Sequence, residues 1–395
     1  MKKIKYLSIL LIIPLLSGCY NYRELNELAI TTALSIDYSD NNFNIIVEVI
    51  NPTKQQDAVS ANNSPFVNYY SSAPTLQDAL RNVVIDSPRQ LYAAQLELIL
   101  SEEAATNHMS EILEYFSREP ESRTEVKFVI ARDDDSTKAV TIQTLLTNFS
   151  SSNIKQSLEL QQKVLGLTPV YTLNELLNMY LDPTLEISLP SIIVYGNAEE
   201  GDKKENITTS TPKALTKIGT TAIFKGKDFL GYLTEEESKV HSIITGSTKE
   251  SIINLDYKDN YSVFELYKIE SDISPDIKDN KITLNISGKA RIKEFHSNTN
   301  ITKSKETDRL NKELNKHIED IIKKNFNSMR EKYNTDIFNF RQSFYRGNPK
   351  YYNTHYKDTW YESIFPNLTL EVKSNIKLYE KGNTLGGIEY ENKNN

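Results

Sequence analysis

Two runs rich in β-branched residues, 30–37 and 44–50, flank the polar triplet Asp40-Asn41-Asn42, a pattern that predicts a β-hairpin. The chain then turns polar. Residues 51–73 carry Pro52, Pro65, Gln55-Gln56 and Asn62-Asn63-Ser64 and read as a long loop. From Thr75, a suitable N-cap after Pro74, the residues Leu76, Ala79, Leu80 and Val83 recur at helical spacing. A strand at 96–100, a helix at 102–116 with Ile112, Leu113 and Phe116 inward, and a strand at 127–131 follow. With the segments 137–149 and 172–181 they make a mixed α/β unit ending near Tyr195.

The clearest break in the pattern is 199–213, charged and without aromatics, with Ile207 its single large apolar residue; it reads as a linker or an exposed hairpin loop. Beyond it, strands at 220–224 and 229–233 are joined by Lys225-Gly226-Lys227-Asp228, and 235–244 reads as a helix. Strands at 261–269 and 281–292 come next, the second alternating Ile282, Leu284 and Ile286 on one face. Leu310, Leu314, Ile318, Ile321, Ile322, Phe326 and Met329 then fall at steps of three and four, one stripe of a helix running from about Lys305 to Tyr333. Lys312, Lys316 and Glu319 project to its other faces. At about 1.5 Å per residue the rod is over 40 Å long, and a single apolar stripe must lie across a sheet or a partner. Late strands at 368–372 and 375–378 supply such a sheet.

The expected fold is therefore mixed α/β, as three consecutive units with mixed sheets. They are an N-terminal α/β domain at 19–198, the linker or loop at 199–213, a small middle domain at 214–260, and a C-terminal α/β domain at 261–395 carrying the long helix.

Residues 1–18 stand apart. Lys2, Lys3 and Lys5 precede an apolar run from about Leu7 to Leu16, then Ser17, Gly18 and Cys19, the order of a lipoprotein signal peptide with its lipid-accepting cysteine. The run is about half the 20 residues a membrane-spanning helix needs. Cys19 is the expected lipidation site, as an N-palmitoyl, S-diacylglycerol cysteine that places acyl chains in the bilayer. It is the sole cysteine in 395 residues, so the exported part can form no disulfide, cysteine zinc site or cysteine nucleophile. The remainder is water-compatible, with 38% hydrophobic residues and a mean hydropathy of −0.49. A net charge of −7 without a long basic block argues against nucleic acid as a partner.

Candidate chemistry is sparse. His108, His241, His296, His317 and His355 stand far apart with no metal-binding spacing, and no nucleophile elbow, phosphate loop or dinucleotide motif is present. Asp133-Asp134-Asp135 starts like a calcium loop, but Lys138 stands where the turn needs glycine, so it reads as a solvated acidic turn. Around Pro120, Arg118, Glu119, Glu121 and Arg123 form a local ion-pair network or a partner-facing patch. Neither catalytic residues nor cofactors are expected.

The residues 19–30, Cys-Tyr-Asn-Tyr-Arg-Glu-Leu-Asn-Glu-Leu-Ala-Ile, followed by 33–37, Ala-Leu-Ser-Ile-Asp, resemble the opening of the C subunit of spore nutrient germinant receptors, the Ger(x)C lipoproteins. Ser87-Pro88-Arg89-Gln90-Leu91, the segment from Phe116 to Arg123, Gly219-Thr220-Thr221-Ala222-Ile223-Phe224, Gly231-Tyr232-Leu233, Asp336-Ile337-Phe338, Trp360 and Phe365-Pro366 resemble further family segments in order. Tyr20-Asn21, Ser35, Glu119 and Tyr232 depart from the family's usual residues, which marks a divergent member. The resemblance implies three α/β domains, a lipid anchor on the outer face of the spore inner membrane, and assembly with two integral membrane subunits of the A and B types. It implies a non-enzymatic role in germination triggered by small-molecule nutrients and no catalytic residues; whether this subunit touches the nutrient stays open. The competing reading is a solute-binding lipoprotein of a transporter, which would need two lobes clasping a ligand cleft. An extracytoplasmic hydrolase comes third.

Overall fold

The computed structural model describes residues 24–51, 64–93, 96–119, 125–258, 260–297, 299–301 and 303–380; the signal segment and Cys19 lie outside them. Strands β1 (Leu28–Ser39) and β2 (Asn42–Ile50) form the expected hairpin. Its turn places Asp40 and Asn41 at positive φ of 52° and 61°, a backbone that short polar side chains tolerate. Here the pattern misled: β3 (Phe66–Ala73) occupies part of the segment read as a loop and pairs antiparallel with β2. Asn68, Ser71 and Ser72 dilute its apolar positions, and as an edge strand it leaves Val67, Tyr70 and Ser72 exposed.

Helix α1 (Leu76–Asn82) is capped by Thr75 as expected. Strands β4 (Gln90–Tyr92), β5 (Glu97–Leu100) and β6 (Lys127–Ala131) run parallel to β1, β1 and β5 respectively. Between β5 and β6 the single helix expected at 102–116 is two, α2 (Glu102–Asn107) and α3 (Met109–Arg118), because His108 leaves the helical conformation. The run Asp133-Asp134-Asp135 opens a crossover turn: the Asp133 carboxylate accepts from the Ser136 amide at 2.8 Å and hydroxyl at 2.6 Å. The helix after it, α4 (Ser150–Val164), escaped the periodicity because its buried face is only Ile154, Leu158 and small or polar residues. Its N-terminus borrows a cap from β2, whose Glu48 accepts from the amides of Ser150 at 2.8 Å and Ser151 at 3.2 Å. Helix α5 (Leu173–Leu181) begins with a capping box between Thr172 and Glu175.

Strand β7 (Ser188–Gly196) lies parallel to β6. The segment 199–213 is a packed hairpin connection holding the turns α6 (Ala198–Gly201) and α7 (Glu205–Thr208). Buried Asn206 pins it by donating to Gln143 O at 2.9 Å and Ala214 O at 3.0 Å. Strands β8 (Ala214–Lys225) and β9 (Asp228–Tyr232) then close the first sheet, ordered β3-β2-β1-β5-β6-β7-β8-β9 with β4 beside β1. Its centre is parallel and its flanks antiparallel. Both faces are covered, by α1, α2, α3 and α5 on one and α4 with the 134–141 turn on the other, which is why central strands such as β5 read as continuous apolar runs.

Helix α8 (Glu235–Ile244) leads to the second sheet, β10 (Glu250–Tyr257), β11 (Asn260–Asp276), β12 (Lys281–Phe295) and β13 (Thr369–Glu380) in that order. The mixed α/β class holds, with the strands gathered into two mixed sheets. The segment 214–260 carries no sheet of its own: β8 and β9 belong to the first sheet and β10 to the second. The β12 to β13 crossover holds α9 (Ser304–Tyr333), α10 (Phe340–Gly347) and α11 (Pro349–His355). Leu310, Leu314, Ile318, Ile322, Phe326 and Met329 of α9 are all buried in the core of the second sheet.

That sheet curls around α9. Lys268, at a φ of 54°, forms a bulge in β11 opposite Gly288, where a Cβ would sit 3.2 Å from Lys268 O, tighter than an ordinary contact, so glycine eases the close approach of the strands. Both sheet edges then reach the helix. His317 Nε2 lies 2.7 Å from Asn254 O of β10. Along β13 the amides of Ser374, Ile376 and Leu378 donate to Glu319 at 2.9 Å, Asn315 at 2.7 Å and Asn311 at 2.8 Å. Glu319, expected on an indifferent face, is thus part of a row that closes the edge strand.

Candidate functional site

Two places bring chemistry together. The first is a cleft of about 370 Å³ between α1, α3 and the β1–β4 pair, floored by Leu34, Leu96 and Phe116 and rimmed by Arg81, Gln90 and Tyr115. Apolar below and polar at the lip, it suits shelter for a small or extended group.

The second is the junction between the sheets, where the loop joining α5 to β7 meets α10 and α11. Arg341 donates to Pro183 O at 2.9 Å, Lys357 O at 3.2 Å and Tyr352 Oη at 2.5 Å, and Gln342 donates to Asp182 at 3.0 Å. Below them Asp336 accepts from the amides of Phe340 at 3.2 Å and Arg341 at 2.5 Å, capping α10 from inside the protein. Glu186 accepts from Gly226 N at 2.5 Å and from the Tyr361 hydroxyl. Burial pushes the Asp336 carboxyl up to about 7, and the neighbouring Glu186 adds to the effect. Burial and Glu186 also raise the Tyr361 phenol. An opening of about 350 Å³ lies above this cluster, lined by Asp182, Arg341, Tyr345, Tyr352 and Lys357. With Arg341 fully engaged by oxygens of both units, the cluster is a clamp between the sheets.

The five histidines are not brought together. His241 is fully buried, its Nε2 2.9 Å from Ile337 O, and burial lowers it to about 4; His108 stacks on Tyr38 at 3.6 Å between ring centres. Among the described residues no three His, Cys, Asp or Glu side chains converge on a point. No described helix is long and apolar enough to cross a membrane. Arg118 pairs with Glu114 at 2.9 Å, and residues 120–124 of that charged segment lie outside the described residues, as does the lipidation candidate Cys19. Sequence reading missed the Glu186, Asp336, Arg341 and Tyr361 cluster. Those residues are separated by up to 175 positions, and no local spacing announces them.

Two family models match the chain: "Spore germination protein N-terminal domain" over residues 21–194 and "Spore germination B3/ GerAC like, C-terminal" over residues 219–382. "Spore germination protein KC" of Bacillus subtilis (strain 168) is 25% identical over 94% of this chain and 94% of its own length. "Spore germination protein B3" of the same organism is 22% identical over 93% of this chain and 95% of its own. A solved structure, "Crystal Structure of the GerBC protein", is 17% identical, covers 87% of this chain and 96% of its own, and has a TM-score of 0.48.

Proposed function

Because this chain belongs to the spore germination B3/GerAC-like family, we propose that it is a non-enzymatic, lipid-anchored C-type subunit of a spore nutrient germinant receptor. The observation that carries the reading is the match of both halves of the chain to that family, 21–194 and 219–382. Leu16-Ser17-Gly18-Cys19 supports the anchor at Cys19. Its three acyl chains, two on the diacylglycerol and one on the amine, hold a protein where a single chain would let it leave. On this reading the body sits on the outer face of the spore inner membrane beside two integral membrane subunits of the A and B types. Confinement to the membrane plane raises its effective concentration near them without a tight interface.

Cys19→Ala tests the reading. The variant is expected to leave the membrane fraction and to depress the nutrient response sharply, while germination by agents that bypass receptors persists. Radiolabelled palmitate in the Cys19→Ala protein, or undiminished membrane retention after washing, would overturn it.

A further inference from the structure

We propose that the corner of the first sheet at residues 82–89 is the surface on which the folded body rests against the lipid bilayer. The proposal takes the Cys19 anchor as its premise. Five residue steps separate Cys19 from Glu24, a reach of at most about 17 Å. The tight turn Leu25–Glu27 then delivers the chain to β1. The start of β1 is therefore no more than about 30 Å from the acylated cysteine even with the linker fully drawn out. The surroundings of that start are the part of the folded body held nearest the bilayer.

What surrounds it is β4. Leu28, Ala29 and Ile30 pair with Gln90, Leu91 and Tyr92, at the roughly 4.8 Å spacing of neighbouring strands. The residues directly before β4 are the corner. Val83 plugs into the core, which turns the next two side chains outward: Val84 is 54% exposed and Ile85 81%. The corner is held rigidly. The amides of Asp86 and Ser87 donate to Val83 O at 3.1 and 2.9 Å, and the Ser87 hydroxyl donates to Arg89 O at 2.9 Å. Within 81–89, Arg81 and Arg89 flank the two apolar side chains against the single acidic Asp86, with Glu24 and Glu27 exposed beside the start of β1. Adjacent β-branched side chains on a fixed turn, flanked by arginines whose stems can lie in the interface while their heads meet lipid phosphates, form a shallow wedge for a membrane surface. The corner also forms one rim of the 370 Å³ cleft, through Arg81 and Val84, so docking turns the cleft mouth toward the bilayer.

The chain itself supplies the test, because its one cysteine is consumed by lipid and an added thiol is then the only reactive one. Full-length lipidated Ile85→Cys and, as reference, Lys377→Cys on the outer face of β13 are labelled with an environment-sensitive fluorophore on phosphatidylglycerol–phosphatidylethanolamine vesicles. Both positions are exposed, so the melting temperature should stay that of the unsubstituted protein. The expected result is several-fold stronger quenching by spin-labelled lipids at 85 than at 377, without any other subunit present. Vesicle-bound protein with equal or absent quenching at 85 overturns the docking face alone, as does shielding at 85 that appears only when the membrane subunits are added. Protein that carries Cys19 yet stays in solution overturns the anchor and the docking face together.

Discussion

Two buried carboxyls report most directly on how the chain is held together. Glu97, in the parallel centre of the first sheet, is pushed up to about 7 by burial, opposed by the charges of Lys127 and Lys155 and reinforced by Glu159. Asp336 at the junction reaches about the same value, among Glu186, Arg341 and Tyr361. An unfolded aspartate or glutamate titrates near 4, so each group keeps its proton in the folded state after the unfolded chain has released it. Their contribution to stability is fully present below about pH 4 and is lost as the pH rises through about 7. Asp336→Asn and Glu97→Gln should each flatten that decline, read as a smaller difference between urea midpoints at pH 5 and pH 8 than the unsubstituted protein shows. A slope unchanged in both variants would mean that neither carboxyl titrates in this window. Asp336 stood out in the sequence only within a family-like segment and Glu97 not at all, because burial of an acid is a property of the assembled sheets.

Helix α9 is the element that the sequence announced best and still described incompletely. Its apolar period identified the buried stripe correctly, since Leu314, Ile318 and Ile322 are all 1% exposed or less. Ile318→Ala should therefore cost about 2 to 5 kcal/mol by chemical denaturation, whereas Lys316→Ala, on the exposed side, should change stability by less than about 0.5 kcal/mol. Equal melting of Ile318→Ala and the unsubstituted protein would contradict the packing. Periodicity was silent about the flanks of the stripe, where Asn311, Asn315 and Glu319 meet β13. Polar residues at four-residue intervals look the same whether they face water or a strand edge. The weakly apolar α4 and edge strand β3 were missed for a related reason: sheet pairing and a cap borrowed from Glu48 specify them more than their own pattern does.

For the whole molecule, the boundary between the two matched regions falls inside the first sheet. The C-terminal match begins at Gly219, yet β8 and β9 complete the sheet of the N-terminal half and bury Ala222 and Phe224 in its core. A fragment ending at residue 212 should accordingly be poorly soluble, with the edge of β7 unpaired, while one extending through β9 should be more soluble; the reverse order in size-exclusion recovery would refute this. The composition break at 199–213 had suggested a division there, because surface hairpins and linkers share the same polar residues. The row of side chains along β13 has a consequence of its own, which is that of a vernier. Four helical residues advance about 6.0 Å and two strand residues about 6.6 Å, so the two scales slip by about 0.6 Å at each rung. With the middle of three rungs in phase, the outer two are out by about 0.6 Å, whereas a fourth would miss by about 1.2 Å, enough to weaken a hydrogen bond. A single straight helix can therefore shield only about five residues of an edge strand, and the ladder from Ser374 to Leu378 is already at that limit.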